Sequence, residues 1–226
     1  MFAPEVLDPA VDFLAERAGG GPVLEFAIGT GRVAMPLLGR GLEVHGIDLS
    51  RAMVEQLRAK PGGADVPVTL GDFATATAGR TDFALAYLVF NTINNLTTQD
   101  AQVDCFRNAA AHLAPGGRFV VEVGVPALRL LPPGQDAVPF EVSDTRWAFD
   151  RYDTATQAMS SNYVDVDPAT GTATYKTFPF RYVWPSELDL MARIAGLRLS
   201  ERWEGWTKEP FTGESQGHVS VWEKPA

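Results

Sequence analysis

The residues best placed to do chemistry lie near the N-terminal end: Glu25 inside an apolar run, Gly29 and Gly31 directly after it, then Asp48 and Asp72. The run Val23-Leu24-Glu25-Phe26-Ala27-Ile28-Gly29-Thr30-Gly31 leads out of a predicted strand straight into a helix. Glycines there let the backbone turn tightly and approach a bound molecule, at the carboxyl edge where open α/β sheets take their ligands. An isolated pair of glycines is as often a plain βα turn. Two ligand readings compete. Gly29-x-Gly31-x-x-Ala34 satisfies the dinucleotide fingerprint, and Asp48 lies near the distance at which a carboxylate would bind a ribose. Glu25 separates the two, because an acid just before the loop repels a pyrophosphate and attracts an amino-acid ammonium and a sulfonium.

These residues need a frame, and strand-like and helix-like segments alternate at βαβ spacing, the pattern of a parallel sheet covered by helices. After a helix over residues 4–18 and the breaker Gly19-Gly20-Gly21-Pro22, strands are expected over 23–27, 43–47, 66–70, 83–89 and 118–123. Helices are expected over 32–38, 51–60 and 98–113, the last stopping at Pro115-Gly116-Gly117, where proline cannot continue a helix and glycine supplies a left-handed cap. From 125 to 183 the rhythm changes to alternating runs, read as a β-ribbon or small antiparallel sheet inserted within one domain of residues 1–226. Trp147, Phe149 and Arg151 would share one face of such a strand, and Phe178, Phe180 and Tyr182 one face of another. A helix over 185–195 and strands over 197–203 and 218–223 complete a doubly wound α/β fold.

The segment LEFAIGTGRVAMPL (24–37) resembles motif I of class I methyltransferases, an acid followed by three glycines at alternate positions, with Ala27 standing for the first. HGIDLS (45–50), LGDFATA (70–76) and LAPGGRFVVEV (113–123) resemble the motifs that follow it, in order, so the resemblance covers about residues 20–125. It implies a Rossmann-like, seven-stranded methyltransferase sheet with a β-rich insertion after strand 5, and S-adenosylmethionine as cofactor. Carried onto this chain, Glu25, Ala27, Gly29 and Gly31 would hold its methionine part, and Asp48 would accept both ribose hydroxyls. Leu49 and Met53 would lie beside the adenine, Asp72 would bond its amino group, and Phe73 would pack on the ring. Leu88 ends the strand that this family places beside the transferred methyl.

Methyl transfer from a sulfonium is an in-line displacement, so holding the reactants in line and free of bulk water supplies much of the rate. A base matters if the acceptor is a hydroxyl or a protonated amine. His45 and His112 fall at the wrong ends of their elements. The final strand runs antiparallel in this family, so His218 would start on the ligand side, and Glu122 leaves strand 5 there; these are the two candidate catalytic residues. A histidine bonded to its own loop and a solvated or paired carboxylate are the plainer readings. Asn91 could bond substrate or cofactor. The inserted sheet, with Trp147, Arg151, Tyr163, Arg181 and Tyr182, and the loop 206–217 are the expected roof over the acceptor, where Arg151 and Arg181 could hold an acidic group. The arrangement is loosely similar to glycine and amino-sugar N-methyltransferases. Fewer than about 25 residues precede the first strand, which leaves either the insertion as the lid or a longer N-terminal segment outside this sequence.

Composition narrows the partners. Of 226 residues nearly half are apolar, and the net charge of −9 comes with no lysine-arginine stripe to neutralise phosphates, so nucleic acid is a poor substrate. The single cysteine, Cys105, sits in an amphipathic helix and reads as a small buried residue, and no cluster at metal spacing is present. With no basic-then-apolar leader and no apolar stretch near the ~18 residues that span a bilayer, the chain is expected in the cytoplasm, away from membranes. An exposed strand of the insertion could pair across a homodimer. Two other functions stay open: a regulatory module that binds S-adenosylmethionine without catalysis, and an NAD(P)-dependent oxidoreductase. Glu25 disfavours the second.

Overall fold

A computed structural model describes residues 4–226. The first half runs α1 (Pro4–Ala18), β1 (Val23–Phe26), α2 (Ala34–Gly39), β2 (Val44–Asp48), α3 (Arg51–Arg58), β3 (Val68–Leu70), β4 (Phe83–Leu88), α4 (Gln99–His112) and β5 (Leu113–Gly124). Then come β6 (Ala137–Val142), β7 (Arg146–Tyr152), β8 (Ala158–Val166), β9 (Ala173–Arg181), α5 (Pro185–Ile194), β10 (Arg198–Trp203) and β11 (Gly217–Glu223). Seven strands form one sheet in the order β10-β11-β5-β4-β1-β2-β3, in which β11 runs antiparallel to both neighbours. This is the seven-stranded, doubly wound, Rossmann-like sheet expected.

The four residues of β1 are all buried, because a parallel strand covered on both faces has no solvent side to alternate with. Leu24 and Phe26 point to a core shared with α4 and α5, where Phe106, Phe119 and Trp222 pack. Val23 points to a second core with α1 and α2, built on Phe13, Leu14, Leu37 and Tyr87. The helices that follow the ligand-side loops are capped locally: Ser50 Oγ accepts from Met53 N at 3.3 Å and Thr98 Oγ1 accepts from Ala101 N at 3.2 Å. Since Ser50 caps α3 itself, Asp48 is not needed for that task.

Two expectations at boundaries need correction. The helix expected to run to residue 113 ends at His112, and β5 begins at Leu113, not at Arg118. Leu113 pairs with Phe83 and the register with β4 then shifts, leaving Pro115-Gly116-Gly117 as an irregularity inside the strand. It is held by Gly116 N donating to Lys224 O and Lys224 N donating to Gly117 O, both at 2.8 Å. The helix expected from residue 32 starts at Ala34, since Gly29 and Gly31 at positive φ prolong the loop.

After β5 the inserted segment forms a separate antiparallel sheet, β6-β7-β8-β9. Its small core is Val138, Tyr152 and Tyr182. Along β7, Ala148 and Tyr152 are buried while Trp147 and Arg151 are exposed, so the face shared by Trp147 and Arg151 turns outward. Buried Arg181 ties this sheet to the main body, donating to Gln102 Oε1 on α4, to Glu187 Oε1 on α5 (2.8 Å) and to Gln157 Oε1 (3.1 Å). Among the described residues no helix is long and apolar enough to cross a membrane.

Candidate functional site

A cleft of about 460 Å³ opens at the carboxyl ends of β1, β2 and β4, within the size range of small-molecule sites. The chain leaves β1 through Ala27 at φ +55°, then Gly29 at +56° and Gly31 at +72°. Ala27 therefore holds a conformation that glycine adopts freely and that costs an alanine about 1 kcal/mol. Space also disfavours a side chain at Gly31, since a Cβ there would run into the buried Leu57 side chain, which would have to shift. Asp48 stitches the neighbouring loops together: Oδ2 accepts from Gly29 N at 2.6 Å and Oδ1 from Ser50 N at 2.7 Å. Each oxygen retains a lone pair for a further donor. Asp72 Oδ1 accepts from Ala74 N at 2.9 Å, and Phe73 beside it stacks on Phe26 with centroids 6.0 Å apart. Leu49 is 77 % exposed and Met53 44 %, so two large apolar side chains stand open on the cleft wall.

Two acids of this cleft are buried, Asp48 and, more deeply, Glu25. Its Oε2 accepts from the Tyr87 hydroxyl at 2.7 Å. Burial pushes its carboxyl up to about 8, against the lowering effect of the Tyr87 and Ala34 hydrogen bonds and of Arg32. A carboxyl in that state is suited to an incoming ammonium, whose charge would offset the cost of ionising it.

Beyond β4 the chain makes a second strained turn. Phe90 and Asn91 are consecutive at φ +57° and +59°, a conformation that persists only where the surroundings enforce it. Glu122 enforces it: Oε2 accepts from Phe90 N and Oε1 from Trp206 Nε1, both at 2.9 Å. Asn91 Oδ1 accepts from Gly124 N at 2.6 Å. Past this turn lies a second cleft, also about 460 Å³, between the main sheet and the inserted one. Phe90 and Asn95 line both clefts, so the two are adjacent. The second is also lined by Asn91, Asn94, Asp150, Tyr152, Met159, Ser161, Phe180 and Tyr182.

The residues singled out from sequence divide accordingly. Glu25, Ala27, Gly29, Asp48, Leu49, Met53, Asp72 and Phe73 line the first cleft, whereas Gly31, in the same loop, does not. Asn91 and Tyr182 line the second. Leu88 is fully buried in the core and lines neither. Arg151 is paired with Asp136 on the outer face, Arg181 is consumed by its buried network, and Tyr163 packs between Phe140 and Phe178. His218 lies at the ligand-side start of β11 but is buried, its Nδ1 2.7 Å from Ser220 Oγ and its ring edge-on to Phe211. Burial pushes its pKa down to about 4, with Arg202 acting in the same direction, and it lines neither cleft. Spacing along the chain brings out neither Asp150 nor Asn94; the one signal for Asp150 is its alternation with Arg151 along β7. Among the described residues no group of three or more His, Cys, Asp or Glu could hold a metal ion.

The methyltransferase domain model matches residues 23–117. A cypemycin N-terminal methyltransferase from Streptomyces sp. is 30% identical over 210 residues, 91% of this chain and 84% of that protein. The solved structure of the CcbJ methyltransferase from Streptomyces caelestis is 37% identical and superposes with a TM-score of 0.86 over 99% of this chain and 91% of its own. The S-adenosylmethionine-bound amino pentose methyltransferase CalS10 from Micromonospora echinaspora shares the fold at 23% identity, with a TM-score of 0.68 over 97% of this chain and 90% of its own.

Proposed function

The chain belongs to the S-adenosylmethionine-dependent methyltransferases, and on that premise we propose that it moves the methyl group of this cofactor to a nitrogen or oxygen of a small-molecule acceptor. The observation that carries the reading is the convergence of Glu25, Asp48 and Asp72 on one cleft beside open Leu49 and Met53. The parts fit the cofactor in turn. Glu25 suits the methionine ammonium, Asp48 the two ribose hydroxyls, and Asp72 the adenine amino group, with Leu49, Met53 and Phe73 around the ring. A dinucleotide offers Glu25 no ammonium to offset its ionisation and brings a pyrophosphate into a cleft that holds Asp48 and Asp72.

When bound, S-adenosylmethionine supplies an electrophilic methyl on a sulfonium, which an acceptor lone pair takes in line with the C–S bond. The chain's own part is to hold the acceptor in that line and to keep bulk water out. Phe90 and Asn95, common to both clefts, stand where the two reactants would meet. Glu122 serves this reading as a positioning residue, because both of its oxygens fix the elements around Phe90. His218, neutral above about pH 4, positions the start of β11 through Ser220. A net charge of −9 favours a metabolite over nucleic acid. The same reading makes the protein a cytoplasmic enzyme, with edge strand β9 as the place where two copies would pair.

Calorimetric titration with S-adenosylhomocysteine, S-adenosylmethionine and NAD tests the reading. The first two are expected to bind, and Asp48→Ala to lose them while retaining a cooperative melt. Binding of NAD alone would overturn it.

A further inference from the structure

The second cleft carries a charge pattern opposite to the one its arginine-rich sheet suggests. Among the described residues that line it, Asp150 is the only charged side chain. Arg151, next along β7, points to the outer face and pairs with Asp136, and Arg181 is tied to Glu187. The Asp150 carboxyl is half-buried and oriented by the Ser161 hydroxyl, which donates to Oδ1 at 2.6 Å. Burial pushes its pKa upward, against the hydrogen bonds of Ser161 and Tyr152, the condition of a carboxylate short of a cationic partner. The remaining walls include the aromatic side chains of Tyr152, Phe180 and Tyr182, a class of neighbour that stabilises cations; the Phe90 ring already carries the Arg32 guanidinium, 4.1 Å from its centroid. Asn94 lines the same cleft, and its buried Oδ1 has no hydrogen-bond partner among the described residues, so it too calls for a donor.

We propose that this cleft binds a primary or secondary amine as its ammonium ion, with Asp150 as the side chain that selects it. The inference rests on the methyltransferase reading only in calling that amine the methyl acceptor, in which case the bound ammonium first gives a proton to Asp150 or to water and the freed nitrogen lone pair then takes the methyl; the charge preference of the cleft stands apart from it. An acceptor carrying a carboxylate or phosphate at this point is repelled by Asp150. A neutral alcohol of the same shape leaves the carboxylate without its charged partner.

Benzylamine, benzyl alcohol and benzoate form a matched series for calorimetric titration against the S-adenosylhomocysteine-loaded protein and against the protein alone. Benzylamine is expected to bind about tenfold or more tightly than the alcohol, as hydrogen bonds to charged groups allow, and benzoate to bind more weakly still. Asp150→Asn should remove the amine preference while leaving S-adenosylhomocysteine affinity unchanged. Equal binding of amine and alcohol, tighter binding of benzoate, no binding of any probe, or an amine preference that survives in Asp150→Asn would each overturn the proposal. If that variant melts early, the wild-type series decides alone. Failure of S-adenosylhomocysteine to bind would sink the cofactor reading instead, and the series on the protein alone would still test Asp150.

Discussion

Glu25 couples cofactor binding to protons. With its folded pKa raised from 4.5 to about 8, the folded chain holds a proton that the unfolded chain releases. The stability tied to that proton is therefore complete below pH 4.5 and is lost as pH rises through about 8. An ammonium docked on Glu25 reverses the preference and expels the proton. Below pH 8 the calorimetric enthalpy of S-adenosylhomocysteine binding should depend on the ionisation enthalpy of the buffer, with release approaching about one proton, and Glu25→Gln should abolish that dependence. A buffer-independent enthalpy in the wild type would mean that Glu25 is already ionised or is not touched by the ligand. Ala27 makes a second, separate prediction. Its methyl group sits at φ +55°, so Ala27→Gly should relieve strain by more than the entropy glycine costs, a net gain of about 0.5–1 kcal/mol. Denaturant unfolding measures it, and a loss of stability would show that the methyl packs well enough to outweigh the strain.

The elements themselves were largely legible, because each parallel strand of the main sheet is a short apolar run followed by turn chemistry. The end of α4 was not. Pro115-Gly116-Gly117 reads as a helix stop, yet the chain has already entered β5 at Leu113, and the local signal cannot report that Phe83 and Lys224 recruit the segment into the sheet. The inserted sheet exposed a different gap: period-two patterning shows which residues share a face but not which face meets the body. Trp147 and Arg151 share the outer one, and Asp150 and Tyr152 the inner one. Arg181, expected over the acceptor, is the bolt between sheet and body. Removing it leaves half-buried Glu187 without its cation, so Arg181→Ala should destabilise by about 2–3 kcal/mol, less than breaking a fully buried pair, and Arg181→Met with Glu187→Met should recover much of that. Burial works to raise the Glu187 pKa, but hydrogen bonds from Arg181, Gln157 and Gln99 outweigh it and hold it below 4.5. That contribution is complete above pH 4.5 and fades as pH falls through the lowered value, so the wild-type advantage over the double variant should shrink in acid. Equal stability of all three proteins would remove Arg181 from this role.

The whole molecule divides its site in a way that explains what sequence could reveal. The first cleft is built where strands meet the loops that directly follow them, so Glu25, Gly29, Asp48 and Asp72 advertise it through spacing along the chain. The second is assembled from the turn after β4, the end of β5 and three strands of the inserted sheet. Its residues are neighbours only after the two sheets have packed, and no local pattern encodes that packing. Fold alone also cannot choose between cofactors, since a doubly wound sheet with a glycine loop serves dinucleotides as well as S-adenosylmethionine. The choice rests on the charge of the cleft, and it predicts a stability difference that involves every element at once. A ligand that binds only the folded chain adds about 2.7 kcal/mol when present at a hundredfold excess over its Kd. For a protein of this length that corresponds to a rise of about 5–10 °C in Tm. S-adenosylhomocysteine should produce such a rise, and NAD at the same concentration should produce none, because its pyrophosphate brings no cation to offset the ionisation of buried Glu25 and adds negative charge to a cleft that already holds Asp48 and Asp72. A shift with NAD comparable to that with S-adenosylhomocysteine would show that the carboxylates do not govern which cofactor enters, and the assignment of the cleft would then have to rest on its shape.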